Sequence, residues 1–434
     1  MTTDEGLKRE VGTWGLTSNI INVVIGSGIF VLPAIVSAGL GPSGIFAYLL
    51  CGVLISLVML CFAELGSKIT ITGGAYAYIE IAFGKYFGFL TTNIFIFGAS
   101  VMATAAVANA MADTLSYLLP IFSNSTFRVC FFIVMFSGLT IINVIGIKQG
   151  ITLVKITTIA KLIPILILIT FGINYIVPAH LIINDIPAIS EFGKISVILF
   201  FAFQGAENSL SVGGEVKNPQ KTFPRAILLS FLIILIIYLA VQIVSQGILG
   251  NSFANFKGAP LTEVAKRIIG PFGVVLITVG AAISMFGYLS SDIMNMPRVL
   301  FRSALDNVIP IRPLCHVHKK FYTPYISVIA FTFLGCFFAI IGEFKQLAIL
   351  SSASVLLIYL GVALATIKLR LKTDNSNHFR IYGGYTVPIL AIITILWFLS
   401  SLGTNEKIGM VIFIILLTLI YFGIRLLNLH KIRQ

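Results

Sequence analysis

Four places in this 434-residue chain set chemically capable groups inside otherwise apolar runs. The first is Ile25-Gly26-Ser27-Gly28-Ile29-Phe30, followed by Pro33. Glycine costs about 1 kcal/mol per helical position relative to alanine. In return its backbone can unwind and approach a ligand closely. A helix broken here restarts at about Ser27, and its free N–H groups and positive dipole end would make a carboxylate site from main chain. The same residues also fit a packing seam of small side chains. The second place is Phe200-Phe201-Ala202-Phe203-Gln204-Gly205-Ala206-Glu207-Asn208. Unwinding near Gly205 would free carbonyls able to accept hydrogen bonds from an ammonium group. Glu207 marks either a functional carboxylate or a residue near the end of its run that pairs with a lysine. The third is Lys161, thirteen residues beyond Lys148. That separation is about 20 Å along a helix, too far for the amine to snorkel out, so Lys161 should face the protein interior. The fourth is Asp292, in Tyr288-Leu289-Ser290-Ser291-Asp292. It could bind the side chain of a cationic substrate, join a proton path, or pair with Lys161 or Arg298.

The elements that position these groups are membrane helices. Hydrophobic residues make up 58% of the chain and charged residues only 10%, with a mean hydropathy of +1.02. Soluble domains carry about 25% charged residues, so a water-facing surface cannot be built here. Residues 226–244 contain no charge, nor do 326–341 and 408–424. Runs of about 18 apolar residues read as membrane-spanning helices, which satisfy their own backbone in lipid. Twelve spans are expected near 13–39, 43–67, 86–119, 127–146, 148–175, 194–216, 224–249, 271–303, 323–342, 345–371, 385–402 and 407–427. Segments 72–84 and 259–270 look half-embedded. The first apolar run does not end in a cleavage site, so the first span should be retained.

Charge sets the expected orientation and excludes some classes. With the N-terminus inside, about 20 Lys and Arg lie on the cytoplasmic side and about 7 outside, which places both termini in the cytoplasm. The same asymmetry accounts for the net charge of +13 without nucleic acid. The five cysteines show no disulfide spacing, and Cys315-His316-Val317-His318 lacks a second ligand pair for a metal. His180, His316, His318, His378 and His430 fall in loops or at span ends, so no catalytic cluster points to an enzyme. No Walker-type phosphate loop is present, and no cofactor is implied. Interrupted helices five spans apart point to an inverted-repeat transporter with a midplane site.

Four motifs carry a resemblance over spans 1–10. They are GSGIF at 26–30, AELGSKITITGGAYAYIEIAFGKYFGFL at 63–90, FFAFQGAENSLSVGGEVKNPQKTFPRAI at 200–227 and PRVLFRSALDNVIP at 297–310. In this order and spacing they resemble the amino acid–polyamine–organocation superfamily, whose fold is the leucine-transporter type. The resemblance implies an all-α protein with repeats at 13–175 and 194–371, added helices at 385–427, and short cytoplasmic ends at 1–12 and 428–434. It implies that Gly26, Ser27 and Gly28 cradle an amino acid carboxylate. The carbonyls around Ile25, Ala202 and Phe203 would receive the amino group, with Ile29 beside the cradle and Phe201 closing over the substrate. In the sodium-independent exchangers and proton-coupled permeases of the superfamily, a lysine like Lys161 stands in for a sodium ion. Sodium-independent transport in the cell membrane is therefore expected, with Lys161, Glu207 and Asp292 as candidates for proton coupling. Gly73, Gly74, Tyr76 and Tyr78 resemble an inner hairpin, and Glu215, Lys217, Asn218, Pro219 and Arg225 an inner-gate loop. A polyamine or cationic amino acid exchanger of the same superfamily is the alternative.

Overall fold

Without water, each backbone N–H and C=O must find a partner within the chain, and helices provide one locally. The computed structural model describes residues 12–69, 74–145, 151–207, 216–256, 258–306, 308–309, 311–371, 379–381 and 383–432. Residues 1–11, Gly73, Lys148, Asn208, Glu215 and His378, all singled out above, lie outside the described residues. Fifteen helices account for most of the described chain, and none of the described residues forms an extended strand. They are α1 (Thr13–Val24), α2 (Gly28–Leu40), α3 (Gly44–Lys68), α4 (Gly74–Phe83), α5 (Lys85–Asn93), α6 (Val101–Ser116), α7 (Ser125–Ile145) and α8 (Ile151–Gly172). They continue with α9 (Ile189–Phe200), α10 (Pro219–Leu249), α11 (Pro260–Leu305), α12 (Tyr325–Ile341), α13 (Phe344–Leu371), α14 (Thr386–Ser400) and α15 (Thr404–Ile432).

Glycines mark two of the bends. Gly84, at φ +94°, separates α4 from α5, and Gly270, at φ +65°, kinks α11 just before Pro271. These left-handed conformations suit a residue without a Cβ. The stretch Ile94–Ser100 between α5 and α6 is a π-helix, so one long rod runs from Lys85 to Ser116 with a wide turn in its middle.

Among the described residues seven helical stretches are long and apolar enough to cross a membrane. They are Gly28–Lys68, Lys85–Ser116, Ser125–Ile145, Lys221–Asn255, Pro260–Leu305, Phe344–Leu371 and Thr404–Leu426, and three shorter apolar helices accompany them. This is fewer than the twelve spans read from hydropathy. The broken helices explain part of the difference: α1 and α9 have 12 residues each, about 18 Å of helix, too short to span alone.

Apolar side chains also cover the outside. Leu228, Leu232 and Ile236 form an exposed row at four-residue spacing on α10, and Ile412, Ile415, Leu416 and Leu419 crowd the surface of α15. Patches of that extent do not face water in a monomer. Within the bundle, α1 packs on α10, and α3 on both α9 and α10. α6 packs on α11, α12 and α13, α7 on α12, and α8 on α11.

A buried ion pair ties two of these helices to each other and to the segment before α14. On α13, Arg370 donates from Nε to Glu64 Oε1 of α3 at 2.6 Å, and from Nη2 to Oε2. Its Nη1 donates to the Gly384 carbonyl at 2.5 Å, and the Ile381 N–H donates to Glu64 Oε2 at 3.0 Å. The two side chains are 2% and 0% exposed. The residues leading into α14 are thus bound to both helices. Arg370 is a structural partner and not merely one of the charges that orient the chain. Near the C-terminal end of α6, Arg128 of α7 meets Asp113 Oδ1 at 2.5 Å and Asn109 Oδ1 at 2.9 Å, and Asn109 donates to the Ala339 carbonyl of α12.

Removing one member of a buried pair leaves the other charge uncompensated, which costs about 3–5 kcal/mol. Arg370→Ala should therefore lower stability by that order in detergent unfolding, and Glu64→Gln combined with Arg370→Met should lose less. An Arg370→Ala protein as stable as wild type would refute the role given to the pair.

Candidate functional site

Two helices stop inside the protein, and their loose ends cross. α1 ends at Val24 and α2 begins at Gly28, with Ile25 at φ −72° and ψ +88°, outside helical geometry. α9 ends at Phe200 and tightens into the turn Phe201–Phe203. Gln204 is then extended, and Gly205 takes φ +105°. A Cβ on Gly205 would meet Val23 Cγ1 at 3.0 Å. A Cβ on Gly28 would meet Ala202 Cβ at 2.7 Å. These glycines let the breaks touch at two points. Gly26 differs: a Cβ there would meet nothing closer than the Val24 carbonyl oxygen at 3.9 Å. The two readings of the Gly-Ser-Gly run therefore divide between its residues. Gly28 is a packing seam, and Gly26 borders open space.

Tyr238 of α10 secures the crossing. Its hydroxyl lies 2.7 Å from the Ala202 carbonyl oxygen and 3.3 Å from that of Val24, one released by each break. Lys161 of α8 is 6% exposed, and its amine donates to the Asn22 carbonyl in the last turn of α1. It faces inward and holds the rim of the first break.

The crossing borders a cavity of about 620 Å³, its open mouth included. Gly26, Ser27, Gly28, Phe201, Gly205, Glu207 and Asp292 line it together. Ile25, Ile29, Ala202, Phe203 and Lys161 do not line it, and all five are buried. Ser27 is 2% exposed, and among the described residues its hydroxyl has no hydrogen-bond partner. It sits at the start of α2, where the first N–H groups of a helix lack intrahelical acceptors. An orphaned hydroxyl beside such groups suits a bound anion.

The carboxylates are held by hydroxyls and main chain. Tyr359 of α13 donates to Glu207 Oε2 at 2.5 Å, and the Gly205 N–H donates to the same oxygen at 3.1 Å. Ser100 and Thr104 both donate to Asp292 Oδ2, at 2.9 and 2.5 Å. Among the described residues neither carboxylate has a cationic partner. The pairings considered above for Glu207 with a lysine, and for Asp292 with Lys161 or Arg298, are therefore absent there. The Arg298 guanidinium bonds the Met294 carbonyl of its own helix instead. Phe201 sits edge-on to Phe344, with ring centroids 5.8 Å apart.

Ser100, Thr104, Tyr238, Ser351 and Ser352 escaped the sequence reading, whereas Gln204, which two of them bond, did not. Gln204 donates to Ser352 Oγ at 2.8 Å and accepts from Ser351 Oγ at 3.2 Å. Ser351 also reaches the Ala99 carbonyl at 3.0 Å. Ser100 and Thr104 carried one usable signal, a four-residue spacing that puts both hydroxyls on one helix face. Tyr238 carried none, since it sits in the uniform apolar run 226–244.

A family model described as amino acid permease matches residues 11–405. The serine/threonine exchanger SteT of Bacillus subtilis is 32% identical over 91% of this chain and 90% of its own length. The methylthioribose transporter of the same organism is 28% identical over 96% and 94%, and its branched-chain amino acid permease BcaP is 27% identical over 96% and 93%.

Overpacking a tight contact costs about 1–3 kcal/mol. Gly28→Ala should lose that much in thermal unfolding, because its methyl drives into Ala202. Gly26→Ala should unfold near the wild-type midpoint. Equal midpoints for the two variants would show that the breaks are not wedged together as described.

Proposed function

The chain belongs to the amino acid permease family, and from that premise we propose that it is a sodium-independent secondary transporter of amino acids in the cell membrane. The observation that carries the proposal is the meeting of two broken helices on one cavity, where the buried Ser27 hydroxyl has no partner among the described residues. The substrate carboxylate binds at Ser27 and the N-terminus of α2, with Gly26 leaving room for it. Its amino group binds main-chain carbonyls that flank Ile25, Ala202 and Phe203, at Gly26 and Gln204, since those three residues do not themselves line the cavity. Phe201 closes the cavity wall.

The working architecture is twelve spans, with the helices of 13–175 and 194–371 as two inverted five-span repeats and α14 and α15 added. The packing pattern supports this. An internal two-fold axis requires that when one element contacts another, their counterparts also make contact. α8 on α11 is matched by α13 on α6, and α1 on α10 by α9 on α3. The pairs α3 with α10, α6 with α11 and α7 with α12 each join an element to its own counterpart. Both termini face the cytoplasm on the charge asymmetry.

Transport proceeds by alternating access, with the broken helices moving against the rest, and is driven by proton symport or by exchange. Lys161 supplies a cation's contact to the unwound end of α1, which supports independence from sodium. Glu207 and Asp292, which border the cavity, are further candidate proton groups. The transporters and permeases among the relatives support a carrier rather than an enzyme.

Replacing all sodium with choline should leave amino acid uptake into proteoliposomes within about twofold of its original rate, while Lys161→Ala should remove most of it. Uptake abolished by sodium removal would rule out this coupling.

A further inference from the structure

A carboxylate in a confined, weakly polar cavity is costly unless donors or a ligand offset its charge. Among the described residues two carboxylates border the cavity, and no lysine, arginine or histidine does. Their surroundings differ. Glu207 is engaged by the Tyr359 hydroxyl and the Gly205 N–H, so it belongs to the frame of the second break. Asp292 is 8% exposed and receives two neutral hydroxyls, both on Oδ2. Those donors orient the carboxylate without bringing positive charge. Phe95, Phe201 and Tyr288 share the lining, and aromatic faces attract cations.

Elsewhere on the same lining, Ser27 offers a buried hydroxyl, without a partner among the described residues, at the start of a helix. The cavity therefore presents two unlike ends, an anion receptor and an uncompensated acid. A neutral zwitterion with its carboxylate at Ser27 and its ammonium on the main-chain carbonyls, as proposed above, would leave Asp292 without a counter-charge. An amino acid with a cationic side chain occupies both ends.

We infer that the transported substrate is an amino acid with a positively charged side chain, such as lysine, ornithine or arginine, received by Asp292. This rests on the transport reading above and adds the substrate class to it. Ser100 and Thr104 are positioning residues that hold the carboxylate for the incoming cation.

The decisive comparison is lysine against norleucine, which differ by the terminal amine. Purified wild-type protein in liposomes is assayed for uptake of radiolabelled lysine, norleucine and serine, with unlabelled putrescine as competitor. Lysine should be preferred over norleucine by about tenfold or more, the scale of a charge-assisted hydrogen bond. Asp292→Asn should reduce that ratio by about ten- to a hundredfold. Ser100→Ala with Thr104→Val should reduce it less. Wild-type protein that carries serine or norleucine as well as lysine overturns the inference and leaves amino acid transport standing. Putrescine that competes as well as lysine also overturns it, because a diamine makes no use of the anion receptor. An equal fall for all substrates in Asp292→Asn marks a proton or structural role and overturns it too. Failure to carry any amino acid removes the transport reading itself. Should the variants not fold, the wild-type lysine to norleucine ratio decides alone.

Discussion

Unwound backbone in the middle of a membrane protein survives only if something other than lipid accepts its hydrogen bonds. Here each break is the other's support. Gly28 lies against Ala202 and Gly205 against Val23, so neither segment is exposed to hydrocarbon along its contact with the other. Tyr238 then serves a carbonyl from each side. Without the crossing, α1 and α9 would be short helices ending in apolar surroundings with unsatisfied termini. With it, peptide groups become available to a ligand.

The hydroxyl-rich surroundings of the cavity follow from the same constraint. Charged side chains are expensive at this depth, so the fold holds its carboxylates with Ser, Thr and Tyr, which are small and neutral. Lys161 donates to the Asn22 main chain beside the cavity instead of entering it. The strong ionic contacts lie elsewhere. Glu64 with Arg370, and Asp113 with Arg128, bind helices to one another away from the cavity lining. The effect is a division between rigid, charge-locked anchor points and a central region held by weaker neutral bonds.

What could be read in the sequence were local anomalies. Gly26-Ser27-Gly28 and Gln204-Gly205 stood out because helix-weakening residues interrupted apolar runs. Lys161 stood out because its distance from Lys148 forbade an exit to the interface. Asp292 was visible as a lone acid, but its partners were not, since Ser100 and Thr104 lie nearly two hundred residues away and hydroxyls are common in helices. Glu64 and Arg370 were not singled out by any local pattern, and only the fold brings them together. Hydropathy also treated broken helices as continuous spans, because it reads apolarity and is blind to where the hydrogen-bond ladder stops.

The π-helical turn Ile94–Ser100 adds a mechanical consequence. A wide turn shifts the ordinary acceptor pattern, and the Ala99 carbonyl is served from outside by Ser351. Ser351 also bonds Gln204 at the second break, and Ser100 next to Ala99 bonds Asp292. One short relay of neutral contacts thus couples the angular setting of this rod to the unwound segment opposite. Excising a single residue from the turn would rotate everything beyond it by about 100°, swinging Thr104 away from its acid while leaving the rod itself intact.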